Sequence, residues 1–341
     1  MSENLTTRQR LAAFARLGEV LHTPDGQLTE LISPAKQFNA WFTPESVKNA
    51  LKAIAAMLNT ADLEKWISGN DDENPGSGKS VGLILAGNIP LVGFHDILCV
   101  IATGNKALVK LSSQDKVLIP YIINKLVEIE PGFNNKVEFI EKLTGFDAVI
   151  ATGSNNTSRY FEYYFNRVPH IIRKNRNSVA ILKGDESAEE LLGLGHDIFD
   201  YFGLGCRNVS KLYVPRGYDF KHFFEGIESF KPVIDHHKYN NNYDYNKSIY
   251  LVNLDKHLDN GFLLVKEDER LASPLAVLYY QEYDDIRVLE KDIKERSDEI
   301  QCVISGDDSS LKTVKFGSSQ SPKLWDYADG VDTIAFLMSI K

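Results

Sequence analysis

In the stretch YFGLGCRNVSK, residues 201–211, a cysteine follows two glycines at the end of an apolar helical run, with Arg207 and Lys211 behind it. A thiol without a disulfide partner ordinarily packs as a small hydrophobe, a role that gives no reason for flanking glycines. Nucleophilic chemistry does give one, because the thiolate is the reactive form and suits exchange with a thioester. Cys206 is therefore read as a nucleophile, with Arg207, Lys211 and the end of a sheet available to favour the thiolate; the alternative is a packed loop cysteine. Cys99, within DILCVIAT, and Cys302, within IQCVIS, lie in apolar runs and read as core. Two other segments could serve a ligand. AGNIP (86–90) and TGSNNTS (152–158) follow apolar strands, and the second puts Gly153, Ser154 and Asn155 at a helix N-terminus, where an anion is favoured. The same residue types also make ordinary turns and caps, and no G-x-G-x-x-G follows the first strand.

VGLILAG, KALVKLS, KVEFIEK, FDAVIATG and NSVAILKG read as strands. Between them FHDILCVIATG, KVLIPYIINKLVEIEPG (kinked or broken at proline) and NNTSRYFEYYF read as helices. Parallel neighbours need helical crossovers, so this order predicts a doubly wound parallel sheet with ligands at its carboxyl edge. SAEELLGLGHDIFDYFG then delivers the chain to Cys206 as a helix, and VSKLYVP leaves it as a strand. In the second series DFKHFFEGIESF and DIRVLEKDIKERSDEI read as helices, NKSIYLVN, PLAVLYYQEY and IQCVIS as strands, and residues 236–248 as a surface loop rich in Asn and Tyr. Helices open the chain near residues 6–22 and after Thr43, which can cap one with Pro44 in its first turn; residues 68–80 read as a linker.

The 341 residues suffice for two domains sharing a cleft. A net charge of −9 argues against a nucleic-acid binder. Three cysteines, an odd count without metal-ligand spacing, imply free thiols and no metal. With no secretory signal and no apolar run near the ~20 residues of a membrane span, the expected place is the cytoplasm.

The blocks ILAGNIP, TGNKALVKLSS, IATGSNNTSR, GLGCRNVSKLYV and EDERLASPLAVLYY resemble, in order and spacing, those of the aldehyde dehydrogenase superfamily. Within it, GNIPLVGFHDIL, GNKALVKLSSQD, RKNRNSVAIL and GLGCRNVSK resemble the fatty acyl-CoA reductases typified by LuxC of bacterial luminescence. The similarity runs over roughly residues 80–335. It implies an aldehyde dehydrogenase-like α/β fold with two doubly wound domains and the active site in the cleft between them. The boundaries expected are 1–187 for the N-terminal helices and the NADP(H)-binding domain, 188–315 for the catalytic cysteine domain, and 316–341 for a segment that folds back. The implied reaction is NADPH-dependent reduction of an acyl-CoA, the acyl chain passing through Cys206.

Residue by residue, Cys206 matches the catalytic cysteine. Asn88 matches the asparagine that, with the cysteine's backbone amide, forms the oxyanion hole. Lys110, with Ser112 and Ser113 beside it, matches the lysine that reaches the adenosine ribose or its 2′-phosphate. For the glutamate that binds the nicotinamide ribose, Glu267 and Glu269 both fit and Glu269 is preferred. Hydrolytic members carry a glutamate base at or within one residue of Arg173; here no acid is near in sequence, and Arg173, Lys174 and Arg176 could attract the phosphates of CoA or NADPH. A solvated basic loop is the plainer reading of those three. The rings of RYFEYYF fit a core stripe or, less simply, a fatty-chain tunnel. Partners implied are the acyl-CoA, an acyl-activating enzyme or acyl carrier, and further copies of the chain as a homo-oligomer. A reductase of short-chain acyl-CoA or acyl phosphate, or a non-reducing acyl-transfer subunit, would share the thiol chemistry.

Overall fold

A computed structural model describes residues 5–23, 25–67, 78–306 and 309–340. Most of the expected linker, residues 68–77, lies outside the described residues. The chain divides into two compact units, residues 1–175 with 321–341, and residues 176–320.

The first unit opens with α1 (Thr7–His22), α2 (Gly26–Phe38), α3 (Pro44–Met57) and α4 (Thr60–Trp66). Thr6 and Gln9 close a capping box on α1, whose buried face carries Ala13, Phe14, Leu17 and Leu21 at helical spacing. Thr43 caps α3 by accepting from the Ser46 amide, with Pro44 at its first position as the sequence predicts. The α/β series follows as β1 (Ser80–Ile84), α5 (Phe94–Ala102), β2 (Lys106–Lys110), α6 (Leu118–Ile129), β3 (Val137–Phe139), β4 (Ala148–Thr152), α7 (Asn155–Phe165) and β5 (His170–Arg173). All its strands are parallel, in the order β3-β2-β1-β4-β5. Pro120 neither kinks nor breaks α6, because it is the third residue, where an amide has no intrahelical acceptor.

The second unit contains β6 (Asn177–Ile181), α8 (Ala188–Phe199), β7 (Val209–Pro215), α9 (Phe220–Gly226), α10 (His237–Asn253), β8 (Leu258–Asp259), β9 (Leu264–Glu267), β10 (Val277–Tyr283), α11 (Ile286–Glu295) and β11 (Ile300–Ile304). Its sheet runs β11-β6-β7-β10-β9-β8, parallel except for the edge strand β8. The division falls before β6, not after Ser187, because β6 pairs with β7 and β11 rather than extending the first sheet. Residues 321–340, with α12 (Thr333–Met338), return to the first unit, where Trp66 Nε1 donates to Tyr327 Oη at 2.8 Å.

The expected loop at 236–248 and strand at NKSIYLVN are corrected: both belong to α10. Tyr239, Tyr243, Asn246 and Tyr250 form its buried stripe at helical spacing. Tyr239 Oη donates to the Phe262 carbonyl at 3.0 Å and Tyr243 Oη to Asp259 at 2.6 Å. Tertiary bonds thus sustain a helix whose Asn- and Tyr-rich sequence has little propensity for one.

Candidate active site

The loop around Cys206 is fastened from both sides. Tyr201, Phe202, Gly203 and Gly205 all have positive φ, between 56° and 93°, so the glycines are there because the chain turns left-handed twice before the cysteine. Asn208 Nδ2 donates to the carbonyls of Asp197, Ile198 and Asp200 at 3.3, 3.2 and 2.7 Å, closing the C-terminus of α8. Ser178, wholly buried on β6, donates its hydroxyl to the Cys206 carbonyl at 2.8 Å and accepts the Cys302 amide at 3.1 Å. Cys206 itself is half-buried and in no disulfide. Cys99 and Cys302 are buried as expected, and burial, with Asp96 next, pushes the Cys99 thiol well up. Arg207 reaches Cys302, donating to its sulfur at 3.2 Å, and Lys211 spends its ammonium on acceptors elsewhere in its own unit.

In the first unit, the remaining candidates gather at the carboxyl ends of β1, β2 and β4. The register sets Ile84 opposite both Lys110 and Ala151, so Asn88, Ser112 and Gly153 all lie two to four residues beyond the same sheet edge. The chain leaves β1 for β2 and β3, then crosses back to β4, which makes the space between β1 and β4 a topological switch point, the usual ligand position of such sheets. Asn88 is half-buried and its amide makes no hydrogen bond among the described residues. Its loop is held by Asn39 Nδ2, which donates to the Gly87 carbonyl at 3.0 Å, and by Asp115, which accepts the Leu91 amide at 2.9 Å. A Cβ at Gly87 would stand 2.5 Å from Ser112 Oγ, so the two strand-end loops touch. Lys110 and Ser113 are exposed, and Lys110 pairs with no acid among the described residues. Ser154 caps α7, accepting from the Thr157 amide, with Gly153 behind it. Glu267 ends β9 and Glu269 lies just beyond; both are exposed.

The sequence profile described as "Acyl-CoA reductase (LuxC)" matches residues 14–217, more than half of the chain. The chain belongs to the LuxC acyl-CoA reductase family. No curated protein matches it. Among solved structures it is similar to aldehyde dehydrogenase 21 from Physcomitrella patens in complex with the reaction product succinate, at 12% identity over 99% of this chain and 85% of that one, TM-score 0.65. It is also similar to NAD+ complexes of the aldehyde dehydrogenases from Bacillus cereus (14% identity, 92% and 76% covered, TM-score 0.61) and Mycobacterium tuberculosis (13%, 91% and 77%, TM-score 0.62). The fold is therefore aldehyde dehydrogenase-like, and the family makes the protein an oxidoreductase acting on the acyl/aldehyde couple.

Within this family member, the basic run at 173–176 divides: Lys174 is exposed in a short loop, as the plainer reading of the sequence has it, whereas Arg173 is not part of an open basic patch. Arg173 is buried at the end of β5, its Nη2 donating to Asp96 Oδ1 at 2.6 Å and its Nε to Oδ2 at 3.3 Å. The same guanidinium bonds the Ala328 carbonyl at 2.6 Å and Thr333 Oγ1 at 3.1 Å, tying α5 to the returning C-terminal segment. Burial opposes the charge, but Asp96 outweighs it and holds Arg173 above its usual range. An acid does lie beside Arg173, then, brought from α5 by the fold and spent on the ion pair. Lys174 is exposed and pairs with Glu162 at 2.8 Å, while Arg176 donates to the Ser297 carbonyl at 2.9 Å.

The rings of α7 divide: Tyr160, Tyr163 and Tyr164 are exposed, whereas Phe161 and Phe165, four residues apart, are partly buried, and Phe165 packs on Phe146. An open groove of about 750 Å³ lined by Tyr218, Phe220, Phe224 and Leu258 opens just past the carboxyl end of β7, whereas Cys206 precedes its amino end; the strand's seven residues separate them by roughly 20 Å, so this groove does not serve the thiol. Among the described residues no group of His, Cys, Asp and Glu is placed to hold a metal ion, and no helix is long and apolar enough to cross a membrane.

Ser178, Asn208, Asn39 and Asp115 escaped the sequence reading. Ser178 alone leaves a trace, a polar side chain in the apolar run NSVAIL, which by itself does not say what it bonds. Ser178→Ala removes the hold on the Cys206 carbonyl, and kcat/KM with acyl-CoA is expected to fall about tenfold to a hundredfold with the circular dichroism unchanged. Unaltered kinetics would show that Asn208 and the left-handed turn suffice.

Proposed function

We propose that this protein reduces a fatty acyl-CoA to the aldehyde with NADPH through an acyl-enzyme on Cys206. The observation that carries the reading is the fastening of the Cys206 loop by Ser178 and Asn208 in a member of the acyl-CoA reductase family. Cys206 Sγ attacks the thioester carbon, the bond from that carbon to the CoA sulfur breaks, and CoA leaves as a thiolate that takes up a proton. The tetrahedral oxyanion needs donors, which Asn88 Nδ2 and the Cys206 amide supply. The pairing of Asn88 with Cys206 rests on the family order of the motifs and on the uncommitted amide of Asn88.

NADPH, when bound, supplies the hydride that makes the acyl group an aldehyde and frees the thiolate. The residues suited to it are present: Lys110, whose ammonium pairs with no acid among the described residues, and Ser112 for the 2′-phosphate end, Gly153 and Ser154 at the start of α7, and Glu269 for the nicotinamide ribose. Arg173, at or within one residue of where hydrolytic members of the superfamily carry a base, is locked to Asp96, and a site without that base spares the acyl-cysteine hydrolysis. An acyl-activating enzyme or acyl carrier is the fitting source of the acyl group. The three unbridged thiols suit the cytoplasm.

The test is to incubate the protein with acyl-CoAs of several chain lengths and NADPH, following absorbance and intact mass together. Long-chain substrates should give both NADPH loss and a Cys206 adduct. Acylation without NADPH loss would instead make the protein an acyl-transfer subunit, and a preference for short chains or acyl phosphate would move the substrate class. Asn88→Ala is expected to lower kcat by about a hundredfold to a thousandfold with acyl-CoA KM little changed, as for other oxyanion donors; a loss below about threefold would remove Asn88 from the site.

A further inference from the structure

Lys211 sits on β7 opposite Tyr279 of β10, and its side chain is wholly buried. An ammonium has three protons, and three acceptors surround this one: the carbonyls of Asp268 and Glu269 at 3.1 and 2.9 Å, and Gln281 Oε1 at 2.8 Å. All three are neutral. The nearby carboxylate of Asp268 is taken by Arg270, at 2.8 and 2.6 Å, and no acid lies within ion-pair distance of Lys211 among the described residues. Burial, with Arg296 next, holds the ammonium down to about 8. A charge sunk among neutral acceptors costs stability, a cost that a core strand with an apolar residue facing apolar neighbours does not carry. A position that breaks the apolar pattern of a core strand in this way is where a functional demand is expected.

What Lys211 holds is the crossover 268–276, which joins the parallel strands β9 and β10. Its neighbour Ser210 adds a bond to the same segment, donating to the Leu271 carbonyl at 2.7 Å. Two consecutive residues of β7 therefore fix the crossover by its backbone, leaving the Glu269 carboxylate exposed beyond the anchored carbonyl. We infer that Lys211 is a positioning residue, which pins this crossover to β7 and β10 so that Glu269 meets the hydroxyls of a nicotinamide ribose from one fixed place. The inference rests on the ribose role given to Glu269 above.

Lys211→Met tests it, with Gln281→Leu as the milder variant that removes one bond of the three. In a folded Lys211→Met protein the amides of residues 268–272 are expected to exchange with deuterated water at least about tenfold faster than in the wild type. The KM for NADPH, and its Kd by fluorescence titration, are expected to rise about tenfold, with kcat and the KM for acyl-CoA within about twofold of wild type. Gln281→Leu should move exchange and NADPH affinity in the same direction by about threefold, and it decides the matter if Lys211→Met does not fold. Unchanged exchange with unchanged NADPH binding overturns the proposal. So does a lowered melting temperature with kcat and both KM values impaired together, which would assign Lys211 to the fold alone. If the wild type binds no NADPH, the proposed function itself fails, and the role of Lys211 fails with it.

Discussion

Replacing Cys206 by alanine is expected to lower acyl-CoA-dependent NADPH oxidation by at least about a thousandfold, since nucleophile replacements in enzymes of this kind leave only binding and oxyanion stabilisation. The acyl adduct seen by intact mass should vanish with it. The fold should survive, because Cys206 is half-buried and its place in the loop is held through its backbone carbonyl, which alanine keeps. Cys302→Ala is the informative control. It deletes a buried sulfur that accepts from Arg207, so it should cost stability, about 1–2 kcal/mol, while leaving acylation in place. Acylation of the Cys206→Ala protein at another thiol would sink the assignment.

The second large effect concerns Arg173. Arg173→Leu leaves the Asp96 carboxylate buried without its partner, and the expected loss is about 3–5 kcal/mol, the usual cost of breaking a buried pair from one side. For a unit of this size that corresponds to a fall of about 10 °C in melting temperature. Because the guanidinium also bonds Ala328 and Thr333, residues 321–340 should become the first site of proteolysis in the variant. The double variant Asp96→Leu/Arg173→Leu should recover part of the loss, since it buries no unpaired charge. A single variant within about 1 kcal/mol of wild type would mean that Asp96 finds water or takes up a proton, and that the pair does not hold the segment.

Much of the architecture was legible because its strands are buried on both faces and read as continuous apolar runs, as in VGLILAG, KALVKLS and FDAVIATG. Segments whose state depends on remote partners were not legible. Residues 237–253 look like a polar loop followed by a strand until Phe262, Asp259 and Leu275 are brought beside Tyr239, Tyr243 and Asn246. The stripe at helical spacing was present in the letters, but tyrosine and asparagine do not announce an inward face as leucine does.

The chemistry divides in the same way. The sequence by itself singled out Cys206 as the candidate nucleophile, through the order of the family motifs and through two glycines whose local cause, the positive φ at Gly203 and Gly205, leaves a local trace. It also placed Asn88, Lys110, Ser112, Gly153 and Ser154 at strand ends, which parallel pairing then sets on one edge. Only the tertiary structure decided what the basic residues do. Arg173, Arg207 and Lys211 read alike as free positive charge, yet they bond Asp96, the sulfur of Cys302 and two carbonyls of a crossover, partners 57 to 95 residues away. A charge reveals its sign in the sequence; its partner is fixed by burial, which requires each ammonium or guanidinium to find acceptors wherever the chain brings them.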